Sequence, residues 1–109
     1  VGSEYVKDLD VIKEMAAKTS GMVIKSVESY VNRNTEEAKE VIAYDDVIDD
    51  LFIRGKDEIV RMIGENPKCG SEATDLLMIA KYFERIGDHA SNIAEWALYA
   101  KTGDINVIQ

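Results

Sequence analysis

The chain of 109 residues is poor in cysteine, proline and basic side chains. With a single Cys it cannot form an internal disulfide, and a single Pro leaves few points that interrupt a helix. A lone thiol is typical of a reducing compartment, so we expect a cytoplasmic protein. Thirteen basic residues against 21 acidic ones give a net charge of −8, which argues against binding to nucleic acid or to an anionic membrane surface.

Long hydrophobic runs and catalytic motifs are also missing. No apolar run approaches the ~20 residues that a membrane-spanning helix needs, so the sequence predicts no direct membrane insertion. There is no glycine-rich phosphate-binding loop and no recognisable pair of nucleophile and base. We therefore predict that the protein is not an enzyme.

Two polar segments divide the chain into three long stretches with helical character. In the first, Asn34 or Thr35 can cap the helix that follows, and Asn34 with Glu37 has the spacing of a capping box. In the second, Pro67 ends the preceding helix and Ser71 is placed to cap the next, while Gly103 marks the end of the last helix. The sequence thus predicts three helices, at roughly 4–32, 36–65 and 72–101.

The apolar residues of these stretches recur at helical spacing, and alternation of the kind seen in strands is absent. The third stretch has a seam spaced 3-4-3-4 through four heptads: Leu76, Ile79, Phe83, Ile86, Ala90, Ile93, Ala97 and Ala100. The predicted apolar positions of the first are Val6, Leu9, Ile12, Ala16, Val23, Val27 and Tyr30. Because short connections force neighbouring helices to run antiparallel, we predict an all-α, up-down-up three-helix bundle that forms a single domain over residues 1–109.

Acidic residues four positions apart place two carboxylates on one face of a helix. Six such pairs occur, and chance alone would give about four, so spacing by itself carries little information. Asp45 and Asp49 differ from most of the others because no basic residue lies three or four positions away. Glu84 and Asp88 adjoin the seam of the third helix, in a segment rich in Ala and Gly.

If the second and third helices are neighbours, these four carboxylates converge. Oxygen ligands suit Mg²⁺, Ca²⁺ or Mn²⁺, and clustered carboxylates also suit iron. The alternative is an acidic groove with diffuse counterions. His89 falls five residues after Glu84 and one after Asp88, so it points away from their shared face. The Glu-x-x-His motif of di-iron oxidases is missing because position 87 is Gly, which argues against a metal-dependent helical enzyme.

Two segments resemble the motifs of the PhoU family. The stronger match is Glu84–Glu95, which reads ERIGDHASNIAE, and it continues through Tyr99–Gly103. The second is Ala38–Leu51, in which an acidic residue, three further residues and an Asp precede a hydrophobic position. The first helix matches only in its apolar pattern.

The resemblance implies a fold, a role and a site. PhoU proteins are built from two tandem three-helix repeats, and their paired motifs hold iron or zinc clusters in members that bind metal. Carried over to this chain, the ligands are Asp45, Asp49, Glu84 and Asp88. The family restrains phosphate uptake and phosphate-starvation signalling through contacts with the phosphate ABC transporter and a sensor histidine kinase, so we expect the same partners here.

The chain departs from the family in its length, because it covers one repeat and most resembles the C-terminal one. It is either half of a two-repeat protein or a single-repeat homologue, and an exposed repeat interface predicts a homo-oligomer. Two alternatives remain open. The chain could be the PhoU-like regulatory domain of a sodium–phosphate cotransporter, or a metal-binding helical bundle without a signalling role.

Overall fold

The computed structural model describes the backbone of residues 9–102 and the side chains of residues 10–100. Three long helices follow one another: α1 (Leu9–Val31), α2 (Thr35–Glu65) and α3 (Gly70–Thr102). Each packs against both of the others, which confirms the predicted all-α three-helix bundle. The predictions for residues 4–8 and for Gly103 lie outside the described part of the chain.

The turn between α1 and α2 is tight and closed by backbone hydrogen bonds. The amide of Asn34 donates to the carbonyl of Ser29, and that of Arg33 donates to Tyr30, which is the Schellman arrangement at a helix end. Arg33 adopts a left-handed conformation with φ of 56°. The predicted cap is confirmed, since the Asn34 side chain accepts a hydrogen bond of 3.1 Å from the amide of Glu37. This turn reverses the chain, so α2 runs antiparallel to α1.

The connection between α2 and α3 is a short 3-10 turn, Pro67–Cys69, which leads directly into α3. The predicted cap at Ser71 is wrong, because α3 begins at Gly70 and Ser71 already lies inside it. Asn66 caps the 3-10 turn that precedes α3, since its side chain accepts a hydrogen bond from the amide of Lys68. Cys69 is fully buried, and its Sγ donates to the carbonyl of Met62 at 3.6 Å.

The seam predicted for α3 is only half right. Four of its eight positions do pack in the core: Leu76, Phe83, Ala90 and Ala97. Ile79 and Ile86, by contrast, are exposed. The buried positions that alternate with these along α3 are small residues: Ala73, Ala80, Gly87 and Ala94. Small side chains at these positions let the neighbouring helices come close to α3.

The core face of α1 also differs from the prediction. Ile12 is buried as expected, but Val27 and Tyr30 are exposed. Three hydroxyl residues take buried positions beside Met15 and Met22: Thr19, Ser26 and Ser29. Each hydroxyl donates to a carbonyl three or four residues earlier in its own helix, for example Thr19 Oγ1 to Met15 at 2.8 Å. These three buried hydroxyl groups therefore have hydrogen-bond acceptors within α1 itself.

Polar contacts fix the side on which α2 lies against α1. Arg54 of α2 donates to Glu14 of α1 at 3.2 Å, and Lys18 of α1 donates to the hydroxyl of Tyr44 at 3.0 Å. On the other flank of α2, Asp45 and Asp49 face α3. This geometry brings the two predicted carboxylate pairs to one junction.

Candidate metal centre

The close contact between α2 and α3 is centred on Gly87. A Cβ atom at this position would lie 3.4 Å from Asp45 Oδ1 and 3.4 Å from Cγ2 of Ile48. Any larger side chain would occupy the space beside the Asp45 carboxylate. In the sequence, Gly87 belongs to the segment rich in Ala and Gly beside Glu84 and Asp88, and it is also the residue that interrupts Glu-x-x-His. The row of small residues on α3 to which Gly87 belongs is the feature of the sequence that indicates close packing against a neighbouring helix.

Three of the four predicted ligands meet at this contact. Asp45, Asp49 and Asp88 each offer a carboxylate oxygen, and the three oxygens lie within 4.8 Å of one another. Two of them come from successive turns of α2 and the third comes from α3, so the group spans the junction between the helices. We call these three residues the carboxylate cluster.

The cluster is only partly solvated. Asp45 and Asp49 are half-buried and Asp88 is exposed. The Oδ1 atom of Asp45 is buried and has no hydrogen-bond partner. A buried anionic oxygen without a donor is costly, so this atom is a place where a cation or a proton would be favoured.

The electrostatics of the cluster follow from this burial. Burial raises the pKa of Asp45 to about 6, and the neighbouring charges of Asp88 and Asp49 act in the same direction. The pKa of Asp49 is raised as well, first by burial and then by the charges of Glu84 and Asp88. The fold thus holds these like-charged carboxylates close together, and a bound proton or cation would reduce their mutual repulsion.

Glu84, the fourth predicted ligand, lies next to Asp49 but has a counterion of its own. Its Oε1 accepts a 2.6 Å contact from Lys81 Nζ, and its side chain is 16% exposed. The ammonium of Lys81 also lies over the ring of Phe52, 5.2 Å from the centroid. Glu84 thus borders the cluster from the α3 side, with one oxygen engaged by the lysine.

Two residues that neighbour Glu84 and Asp88 in the sequence, Arg85 and His89, lie outside the carboxylate cluster. His89 is exposed and does not belong to the cluster. The guanidinium of Arg85 lies over the ring of Tyr82, 5.9 Å from its centroid. The basic residue Lys81 pairs with Glu84 at the border of the cluster. The three carboxylates of the cluster itself lie next to one another.

The donor set fits a cation. It is made of carboxylate oxygens from two helices, which is the chemistry that Mg²⁺, Ca²⁺, Mn²⁺ and iron favour, and which zinc also accepts. The unpartnered Asp45 Oδ1 and the open space beside Gly87 supply an oxygen and room at the same point. The arrangement can bind a positive charge.

A three-helix bundle with facing acidic motifs on its second and third helices defines a class of small all-α proteins with a carboxylate site between helices. Comparison with known sequences identifies the family. The PhoU domain matches residues 12–97, and the chain belongs to the PhoU family.

Named relatives agree with this assignment. The chain is 36% identical to the phosphate-specific transport system accessory protein PhoU homolog of Clostridium acetobutylicum, over 89% of this chain and 46% of the relative. It is 34% identical to PhoU homolog 2 of Thermotoga maritima, over 91% of this chain and 42% of the relative. The chain thus spans a little under half the length of the curated relatives it matches.

Within the described part of the chain, none of the helices combines the length and the apolar character that crossing a membrane requires.

Proposed function

We propose that this domain is an accessory, regulatory component of phosphate uptake that acts through protein–protein contacts, and that its carboxylate cluster binds a metal cation. The observation that carries the regulatory part is the match to the PhoU domain over most of the chain. The names of the relatives, phosphate-specific transport system accessory proteins, supply the process. Because the chain covers less than half of those proteins, their partners come to it only as a proposal.

The proposed partners are the phosphate ABC transporter and the sensor histidine kinase named above. The domain would contact them in the cytoplasm. The domain would favour the repressed state of the signalling pathway when phosphate is plentiful. An acidic chain with a net charge of −8 suits partners that present basic surfaces. Catalysis has no part in this proposal, since contact between helical surfaces is sufficient.

The physiological part is tested by deleting the coding sequence of this domain in its host and following a phosphate-starvation reporter. In phosphate-rich medium the reporter should become active, because the proposed restraint is gone. In phosphate-poor medium the parent and the deletion strain should both express it, which controls for the reporter itself. Full repression in the phosphate-rich deletion strain would refute the regulatory role.

The metal part of the proposal rests on the buried, unpartnered Asp45 Oδ1 within a group of three facing carboxylates. Asp45, Asp49 and Asp88 would hold the cation, and Glu84 is the nearest further carboxylate. A bound cation would supply the positive charge that offsets the mutual repulsion of these groups. Since the ligands come from α2 and α3, binding would hold the two helices together and raise the stability of the fold.

The metal site is tested by elemental analysis of untagged protein purified without chelator and then supplied with iron, zinc, manganese, magnesium or calcium. Wild type should retain one of these metals in stoichiometric amount, and the Asp49→Ala/Asp88→Ala variant should lose it. The matched control is Asp46→Ala/Asp50→Ala, which removes the same charge from exposed positions of α2. A folded wild type that retains none of the metals, or a double variant that keeps its metal, would sink the site assignment.

A further inference from the structure

Three pairs of side chains face each other in turn along the junction between α2 and α3. The pairs, in order, are Asp45 with Asp88, Asp49 with Glu84, and Phe52 with Lys81. The steps along each helix are of three or four residues, which is the spacing that keeps side chains on one face. A row of four carboxylates therefore has a positively charged side chain at one end.

Lys81 is held in this position by partners on both helices. Its Nζ donates a hydrogen bond of 2.6 Å to Oε1 of Glu84, which lies one turn further along α3. The same ammonium lies 5.2 Å from the centroid of the Phe52 ring of α2, and Phe52 is itself packed against the core of the bundle. Because the face of an aromatic ring attracts a cation, Phe52 supports the contact between Lys81 and Glu84.

The ion pair occupies the one predicted ligand that stands apart from the others. Within the described part of the chain, Glu84 does not belong to the group of aspartates whose oxygens lie within 4.8 Å of one another. Its side chain is only 16% exposed, so the pairing with Lys81 is less weakened by water than an ion pair at the open surface. While Lys81 holds Oε1, Glu84 has one oxygen fewer to offer, and the ammonium beside it repels other cations.

We propose that Lys81 competes with a bound metal cation for Glu84 and so lowers the affinity of the site for metal, an inference that rests on the metal binding proposed above. In the metal-free chain the ammonium is the counterion of Glu84. When Lys81 releases it, Glu84 can add a fourth carboxylate to the three of the cluster. Gaining this ligand requires loss of the ion pair, so the site binds metal less tightly than it would without the lysine.

A second basic residue of α3 supplies a comparison. Arg85 follows Glu84 directly in the sequence, but its guanidinium lies over the ring of Tyr82, 5.9 Å from the centroid. Lys81 and Arg85 therefore carry the same charge close to the same carboxylate, and the described structure pairs only Lys81 with it. Removal of either residue changes the net charge equally, and removal of Lys81 alone frees Glu84.

The experiment is a calorimetric titration of chelator-stripped protein with Mn²⁺ and, separately, with Zn²⁺, using wild type, Lys81→Met and Arg85→Met. Methionine keeps a long flexible side chain and removes the charge. Lys81→Met should bind at least about fivefold more tightly than wild type, which is the upper range for loss of one partly exposed ion pair. Arg85→Met should change the affinity by about twofold or less, because salt screens a charge that makes no contact with the site.

A double-mutant cycle with Glu84→Gln tests whether Lys81 acts through Glu84. In the Glu84→Gln protein the ion pair is already gone, so the addition of Lys81→Met should raise the affinity no more than Arg85→Met does. Circular dichroism of each variant confirms that the helices are retained.

The outcomes separate this inference from the metal site itself. A wild type that binds metal at least as tightly as Lys81→Met would overturn the role of Lys81 and leave the site standing. An equal gain from Lys81→Met with and without the Glu84 carboxylate would overturn it too, because the lysine would then act by its charge alone. If neither wild type nor Lys81→Met binds either metal, the site and the role of Lys81 are refuted together.

Discussion

Replacement of Asp45 by Asn should stabilise the metal-free protein. The substitution keeps the shape of the side chain and removes a charge that is half-buried beside two other carboxylates. The new amide has N–H donors that the carboxylate lacks, so it can also donate a hydrogen bond to the neighbouring Asp88. The pKa of Asp45 rises from 3.8 to about 6 on folding, which corresponds to roughly 3 kcal/mol against the charged form. Because Asp45 is partly solvated, we expect about 1–2 kcal/mol to be realised.

The sign of the pH dependence follows from the same shift. Between pH of about 4 and about 6 the folded chain keeps the Asp45 proton and the unfolded chain releases it. The free energy of unfolding of the wild type therefore falls as pH rises through this window, relative to that of Asp45→Asn. The advantage of the variant should be close to zero near pH 4 and complete above pH 7, and Asp49, whose pKa is also raised, steepens the fall in the wild type.

Urea unfolding followed by circular dichroism, in the presence of chelator and at several pH values, measures this difference. At neutral pH the thermal midpoint of Asp45→Asn should also lie several degrees above that of the wild type. Asp50→Asn is the control, since Asp50 is an exposed aspartate of the same helix. An Asp45→Asn variant that is less stable than wild type at neutral pH, or an advantage that does not change with pH, would refute the electrostatic reasoning.

Two further predictions concern packing. Gly21→Ala should stabilise the chain by about 0.5–1 kcal/mol, because a Cβ there meets nothing within 4 Å and Ala is the better helix former. Gly55→Ala should gain less, since its Cβ would lie 3.2 Å from a valine of α1, and the reverse order in thermal unfolding would contradict this. Ile48→Ala should cost about 2–5 kcal/mol in urea unfolding, because Ile48 is 0% exposed. Ile53→Ala, at 56% exposed, should change stability by about 0.5 kcal/mol or less, and equal losses would show that the core is assigned wrongly.

The number, order and approximate ends of the helices could be predicted from the sequence because they depend on local chemistry. Asn34 caps α2 because its side chain reaches an amide three residues later, which is a short-range effect. The wrong prediction of a cap at Ser71 has an equally local cause. The 3-10 turn that begins at Pro67 leads directly into α3, so no cap is needed at Ser71.

The orientation of α3 about its own axis was harder to predict. The predicted seam and the observed one are both spaced 3-4, and they share four residues: Leu76, Phe83, Ala90 and Ala97. Between these, hydrophobicity favours Ile79 and Ile86, whereas the packed bundle buries Ala80 and Gly87. Which set turns inward depends on how closely the neighbouring helices approach. That distance is a property of the whole bundle and cannot be obtained from the apolar pattern of one helix.

The site was partly predictable for a related reason. Spacing of four residues places Asp45 and Asp49 on one face, and the family resemblance points to Glu84 and Asp88. The sequence does not state which oxygen is left without a partner, or that Lys81 engages Glu84. Both depend on the side chains that α3 presents once its small residues have let it approach α2.

The observed orientation of α3 explains how one helix can carry two different surfaces. Its small residues face the centre of the bundle, so Asp88 turns toward α2 on one flank and Ile86 turns outward beside α1 on the other.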